Sequence, residues 1–233
     1  MFFLSAWIIA AQVWIVATRP TLLYSEWLVL RQFFKATGGE EGGWYNASGW
    51  NVSNFDSAPD PCDGRSWFGI YNWPDYQGLD LYAWACTPPD SNGTRSLQIL
   101  SLTTGPAGYT YPGNNLVAYP PTTLDLNGLS QLRVLLIMDN PRLSVPIPAV
   151  DRLTSLQQLS LGYNSFRGTI PPLDTMTSLV AVELFNNNLW GTVPSLSSLS
   201  NLEEFEVGFN QLTGTIPSFA QVYCSKIVQI RVK

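Results

Sequence analysis

The chain contains no histidine. That absence removes Ser-His-Asp and Cys-His nucleophile systems and any metal site built on imidazole. Charge is scarce as well: Asp, Glu, Lys and Arg make up 12% of 233 residues, with a formal balance of −5. There is no polybasic run, so neither a nucleic acid nor an anionic membrane surface is an expected partner. A glycine-rich phosphate cradle is also missing, because the glycines fall in turn-like contexts. Asp56, Asp60 and Asp63 gather acidic side chains without the spacing of a calcium loop, and a solvated loop is the simpler account. These absences leave a chain for which no metal, no cofactor and no catalytic residue is expected.

What the sequence does have is apolar material, 45% of its residues, enough for a large core and too much for a disordered chain. Residues 1–17, MFFLSAWIIAAQVWIVA, carry no charge and have the length of a signal-peptide apolar region. A membrane span needs roughly 20 residues. The segment reads as a signal peptide, with an uncleaved anchor or a buried N-terminal helix as the alternatives. Secretion agrees with three acceptor sequons, at Asn46, Asn51 and Asn92, each in polar, turn-rich surroundings. It also agrees with Cys62 and Cys86, which flank a segment rich in Trp and Asp and which an oxidising compartment would allow to pair. Cys224 is left over.

Residues 18–95 differ in composition from residues 96–233. LYSEWLVLRQFFKATGG sets Trp27, Leu28, Leu30, Phe33 and Phe34 at helical spacing and stops at Gly38-Gly39. The rest of that region is dense in Trp, Gly, Asp and Pro, so it would pack mainly through aromatic area.

Residues 96–233 are repetitive. NSFRGTIPPL, NNLWGTVPSL and NQLTGTIPSF begin at Asn164, Asn187 and Asn210, a period of 23 residues that Gly168, Gly191 and Gly214 repeat. A fixed period in the twenties signals a solenoid. Units open at Leu97, Leu132, Leu156, Leu179 and Leu202, with a partial sixth at Ser225, and the stretch from Leu102 to Leu132 is an enlarged, irregular first unit. Each reads L-x-x-L-x-L-x-x-N-x-L. In L-x-L the two-residue period of a strand sends Leu159 and Leu161 inward and Gln158 and Ser160 outward. The Asn then pairs backbone groups at the adjoining turn, so Asn140, Asn164, Asn187 and Asn210 should stack as a ladder. Pro171, Pro194 and Pro217 keep the return path from becoming helix.

With its L-x-G-x-[IV]-P tail, this unit resembles the plant-type leucine-rich repeats of receptor-like kinase and receptor-like protein ectodomains and of polygalacturonase-inhibiting proteins. Residues from Leu156 to Phe219 match at nearly every defining position; the unit from Leu132 is looser, with one extra residue in NPRLSVPIP and no Gly. FFKATGG, GWYNASGW and DPCDGRSWFGI are similar to the N-terminal caps of such proteins. The resemblance implies an α/β-type solenoid: a right-handed leucine-rich repeat superhelix with a parallel β-sheet on its concave face and a helical cap closed by a Cys62–Cys86 disulfide. It also implies that Cys224 is a buried small residue, or else pairs with a cap beyond the chain given.

Ligand contact in such a fold falls to the outward columns. One holds Ser101, Leu136, Ser160, Glu183 and Glu206; the next holds Thr103, Met138, Gly162, Phe185 and Gly208; a third holds Thr104, Asp139, Tyr163, Asn186 and Phe209. The expected binding residues are Gln158, Ser160, Tyr163, Glu183, Phe185, Glu204, Glu206 and Phe209, because aromatics beside charges make contact hot spots. Glu183 and Glu206 would stand about 4.8 Å apart on adjacent strands, near the roughly 5 Å of retaining glycosidases. An open curved sheet gives them no cleft, so an acidic binding patch is the reading. The expected function is a secreted or cell-surface recognition module for a protein, a peptide or a glycan. A truncated ectodomain of a receptor kinase and an inhibitor of secreted hydrolases are the alternatives. A membrane enters only through an uncleaved N-terminal segment or a missing C-terminal region.

Overall fold

The computed structural model describes residues 21–38, 62, 86–102, 116–118, 122–215 and 217. The N-terminal apolar segment, Asn46 and Asn51, the aspartates from 56 to 63, Thr103 and Thr104, Cys224 and the sixth strand start lie outside those residues.

Helix α1 spans Tyr24–Ala36, as the spacing of its apolar residues requires. Its buried stripe comprises Trp27, Leu30, Phe33 and Phe34, three or four residues apart, together with Glu26. The helix stops where Thr37 turns its hydroxyl back onto the Phe33 carbonyl at 2.8 Å and Gly38 takes φ +81°. A short strand β1 (Thr21–Leu22) precedes it and pairs in parallel with β2 (Thr94–Arg95). The Leu97 N–H donates to Glu26 Oε2 at 2.8 Å, which fastens the helix to the first coil. Cys62 and Cys86 form the disulfide that the cap resemblance implies, and both are buried.

The repeats form a parallel β-solenoid. Its main sheet runs in the order β3 (Ile99–Ser101), β4 (Val134–Leu136), β5 (Gln158–Ser160), β7 (Ala181–Glu183), β9 (Glu204–Glu206). Each strand sits two residues after a repeat's opening leucine, and each middle residue faces inward. Leu100, Leu135, Leu159, Val182 and Phe205 stack across the sheet in register and are buried. Phe166, Leu173, Met176 and Leu189 fill the space behind them. A coil alone leaves this apolar face open to water; stacking closes it, at about 2 kcal/mol per buried leucine.

The asparagine ladder holds the turns. Asn164 Nδ2 donates to the carbonyls of Leu161 in its own coil and Ile137 in the coil before, and its Oδ1 accepts the Asn140 N–H at 2.8 Å. Asn187 and Asn210 repeat the pattern one and two coils on, accepting the N–H groups of Phe166 and Leu189. Asn140 accepts from Leu116, which ties the irregular first unit into the same ladder.

The sequence read as turn what is a second sheet. Three short parallel strands, β6 (Arg167–Gly168), β8 (Asn188–Gly191) and β10 (Gln211–Leu212), run side by side after the ladder. β6 and β8 end in Gly168 and Gly191, and Gly214 follows β10 two residues on; all three have φ between +85° and +93°, where glycine avoids the steric cost a side chain would carry. Two to four residues are too few to show strand alternation, so the pattern was invisible until the coils were stacked.

Candidate binding surface

The outward side of the main sheet is built from first and third strand residues. In register, Val134, Gln158, Ala181 and Glu204 form one column, and Leu136, Ser160, Glu183 and Glu206 the next. The second column is the one the sequence predicts, and solvent reaches the two unevenly. Ile99, Ser101, Val134 and Leu136 are buried, and so are Gln158 and Ser160, at 1% and 0% exposure. Those two were expected to be open contact residues; they lie on the outward side but not at the solvent surface. Across β7 and β9 the face opens, and Glu183, Glu204 and Glu206 are half-buried.

Polar side chains meet at this boundary. Gln158 Nε2 donates to Ser160 Oγ at 3.1 Å, and Ser160 is paired in register with Glu183 on the next strand. Burial pushes the Glu183 carboxyl above its ordinary range; the Ser160 hydroxyl pulls the other way, and the nearby Glu204 charge adds to the rise. Ala181 lies between Gln158 and Glu204 in register and contributes only a methyl group.

Beyond the strand ends the chain turns. Asp139, Tyr163, Asn186 and Phe209 all take φ between +53° and +61°, unusual for residues with side chains and costing about 1–2 kcal/mol each. The N–H groups of Asp139, Tyr163 and Asn186 meet the carbonyls of Gly162, Phe185 and Gly208 on the next coil, so neighbouring coils fix the conformation. Its effect is to throw these side chains outward: Tyr163 and Phe209 are 51% and 56% exposed. Tyr163 meets Phe185 edge to face, ring centroids 5.0 Å apart. Phe185 lies over Gly162, where an added Cβ would come within 3.0 Å of its ring. Met138 and Phe185 are thereby half-buried rather than open. Trp190, on β8 of the second sheet, is also exposed.

The structure therefore brings Gln158, Ser160, Glu183 and Glu204 together around Ala181, sets Tyr163 against Phe185 a few residues further along, and places Glu206 beside Glu183 and Phe209 on the next turn. Ala181 and Gly162 were not singled out from the sequence; the signal was a small residue between long ones in an aligned column. Among the described residues no group of three or more His, Cys, Asp or Glu side chains is placed to hold a metal ion. What this face offers chemically is hydrogen-bond acceptors, negative charge and aromatic edges. Asn92, the sequon inside the described residues, is exposed in a turn held by two N–H bonds to Asp90 Oδ1.

The Leucine Rich Repeat family profile matches residues 155–174. No curated protein matches the sequence significantly. Solved structures do. The ectodomain of the receptor kinase SOBIR1 from Arabidopsis thaliana is 20% identical, covers 84% of this chain and 85% of its own, and superposes with a TM-score of 0.57. Pollen Receptor Kinase 3 is 26% identical over 82% of this chain and 75% of its own, with a TM-score of 0.53. A BIR3–SERK2 complex from Arabidopsis thaliana matches at 22% identity over 82% of this chain and 85% of that one, with a TM-score of 0.52.

Proposed function

We propose that this leucine-rich repeat protein of the plant type, with the fold of plant receptor-kinase ectodomains, is a non-enzymatic recognition module that holds a protein or peptide against the open end of its outward sheet. The observation that carries the reading is the gradient across that sheet, from buried side chains on β3 to β5 to an acidic and aromatic surface on β7 and β9. Tyr163, Phe185 and Phe209 supply rigid contact area, and Glu183, Glu204 and Glu206 supply directional acceptors. The inter-coil hydrogen bonds that fix the turns mean little conformational freedom is left to lose on binding. The ligand meets this face outside the cell, where the disulfide persists and where exposed Asn92 accepts a glycan. A receptor ectodomain is the form of the reading that the matched folds favour, and one of those matches is itself a complex of two proteins.

The test is selection of binders from a random peptide display library against the immobilised chain, followed by titration against a variant with Tyr163, Phe185, Glu206 and Phe209 all changed to Ala. Selected peptides should lose at least about 100-fold in affinity, the loss of two hot-spot contacts. If binders hold the variant as tightly as the parent while circular dichroism reports an unchanged fold, recognition does not occur on this face.

A further inference from the structure

On β5 the side-chain amide of Gln158 donates through Nε2 to Ser160 Oγ at 3.1 Å. The amide nitrogen of Gln158 therefore faces Ser160, and Oε1 is left over. That oxygen is buried and has no hydrogen-bond partner. It belongs to a side chain of 1% exposure whose head group is directed into the cluster by its own bond to Ser160. A buried acceptor without a donor is costly, of the order of 1–3 kcal/mol, and native proteins rarely tolerate it without a purpose.

The surroundings contain more acceptors. Glu204 stands two strands away from Gln158 in the same column, with Ala181 between them, and its charge acts on Glu183. Three acceptor groups, two of them carboxylates, thus lie around Ala181. Every group in the set wants a proton donor, and two carboxylates together want a positive charge.

The geometry points to a subsite here for a basic side chain of the bound peptide or protein, an ammonium or guanidinium whose N–H groups reach the half-buried Glu183 and Glu204 and draw the buried Gln158 Oε1 outward into the same contact. This deepens the recognition reading above and rests on it for the ligand's identity as a polypeptide. A cation with several N–H donors satisfies the orphan amide oxygen and separates the like charges of Glu183 and Glu204 in one step. A neutral side chain does neither. The aromatic pair Tyr163 and Phe185 lies further along the same outward side and is left for apolar residues of the same ligand.

The experiment uses the full chain and three small probes: the N-acetyl methylamides of lysine, arginine and norleucine, titrated while the Ala181 and Glu183 backbone amides and the Gln158 side-chain amide are followed by NMR. The two cationic probes should bind in the millimolar range and move all three signals, and norleucine, similar in length but neutral, should not. Glu183→Gln and Glu204→Gln together should weaken the cationic probes at least 10-fold, and Gln158→Met should weaken them several-fold. Glu204→Gln alone, a change of the half-buried rim, serves if the double variant loses its fold. Binding of norleucine equal to that of lysine, or an unchanged affinity in the glutamine variants, overturns the subsite. Preference between lysine and arginine identifies which cation it takes. The display selection separates the two readings: peptides that depend on Tyr163 and Phe209 but carry no basic residue leave recognition standing and remove the subsite, whereas binding that ignores this face removes the recognition reading whatever the small probes do.

Discussion

Glu26 lies on the buried stripe of α1, 1% exposed, and its Oε2 accepts the N–H of Leu97, 71 residues away in sequence. Burial raises its carboxyl from 4.5 to about 7, against the opposing effect of hydrogen bonds from Leu97 and Ser96. In the unfolded chain the proton leaves near 4.5 and in the folded chain near 7, so between those values the folded state holds a proton that the unfolded state has lost. Stability from this residue is therefore fully present below 4.5, falls as pH rises through that window, and is lost above 7. The whole difference corresponds to about 3 kcal/mol. Glu26→Gln retains an oxygen for the Leu97 N–H and removes the titration. Urea unfolding of both proteins at about pH 4 and about pH 8 reads the effect, because every other titrating group cancels in the difference between them. The variant should gain about 3 kcal/mol on the parent between the two conditions, and be the more stable protein at the higher one. The protection factor of the Leu97 amide, exchange corrected for its intrinsic rise with pH, should fall in the parent alone above neutrality. Parallel pH profiles for the two proteins would refute the reasoning, since the joint between helix and first coil would then be indifferent to the charge.

Two further expectations concern the coils. Asn164→Ala strands an N–H on Asn140 and the carbonyl of Ile137, while Leu161 keeps its bond from Asn187, and should cost about 3 kcal/mol in urea unfolding; a loss below about 1 kcal/mol would mean that the ladder is ornamental. Gly168 and Gly191 both have φ near +90°, but a Cβ at Gly168 meets nothing whereas one at Gly191 comes within 3.0 Å of Thr169 Cγ2. Gly168→Ala should cost about 1 kcal/mol through the backbone alone, and Gly191→Ala clearly more, an excess that Thr169→Ser relieves. Equal losses at the two positions, or an excess that Thr169→Ser leaves in place, would show that the stacked side chain is not the cause.

Much of the fold could be read from a few columns of residues. Leu159, Val182 and Phe205 are inward because an L-x-L strand allows nothing else, and their register follows from a constant period. The stripe on α1 was legible for Trp27, Leu30, Phe33 and Phe34 but not for Glu26, since counting apolar residues passes over a carboxylate and its partner lies in another element. Among the expected contact residues, Ser160, Glu183 and Glu206 sit in the predicted column, and Gln158 and Glu204 in another on the same outward side. The burial of Gln158 and Ser160 could not be inferred from a pattern that records direction and not depth. Tyr163 and Phe209 were expected at the surface, yet both get there through a left-handed backbone, which for Tyr163 is held by the Phe185 carbonyl on the neighbouring coil.

The sequence by itself determined the repeat, the strand positions, the inward residues and the asparagine turns. All of these are set by interactions within one coil or between identical places in adjacent coils. Only the tertiary structure decided which outward side chains remain wet, that three short segments after the asparagines pair as a second sheet, and that Gln158, Glu183 and Glu204 lie around Ala181. Those outcomes depend on the volumes of unlike residues brought side by side from different coils. A period specifies the neighbours; it does not specify how much space or water they leave between them.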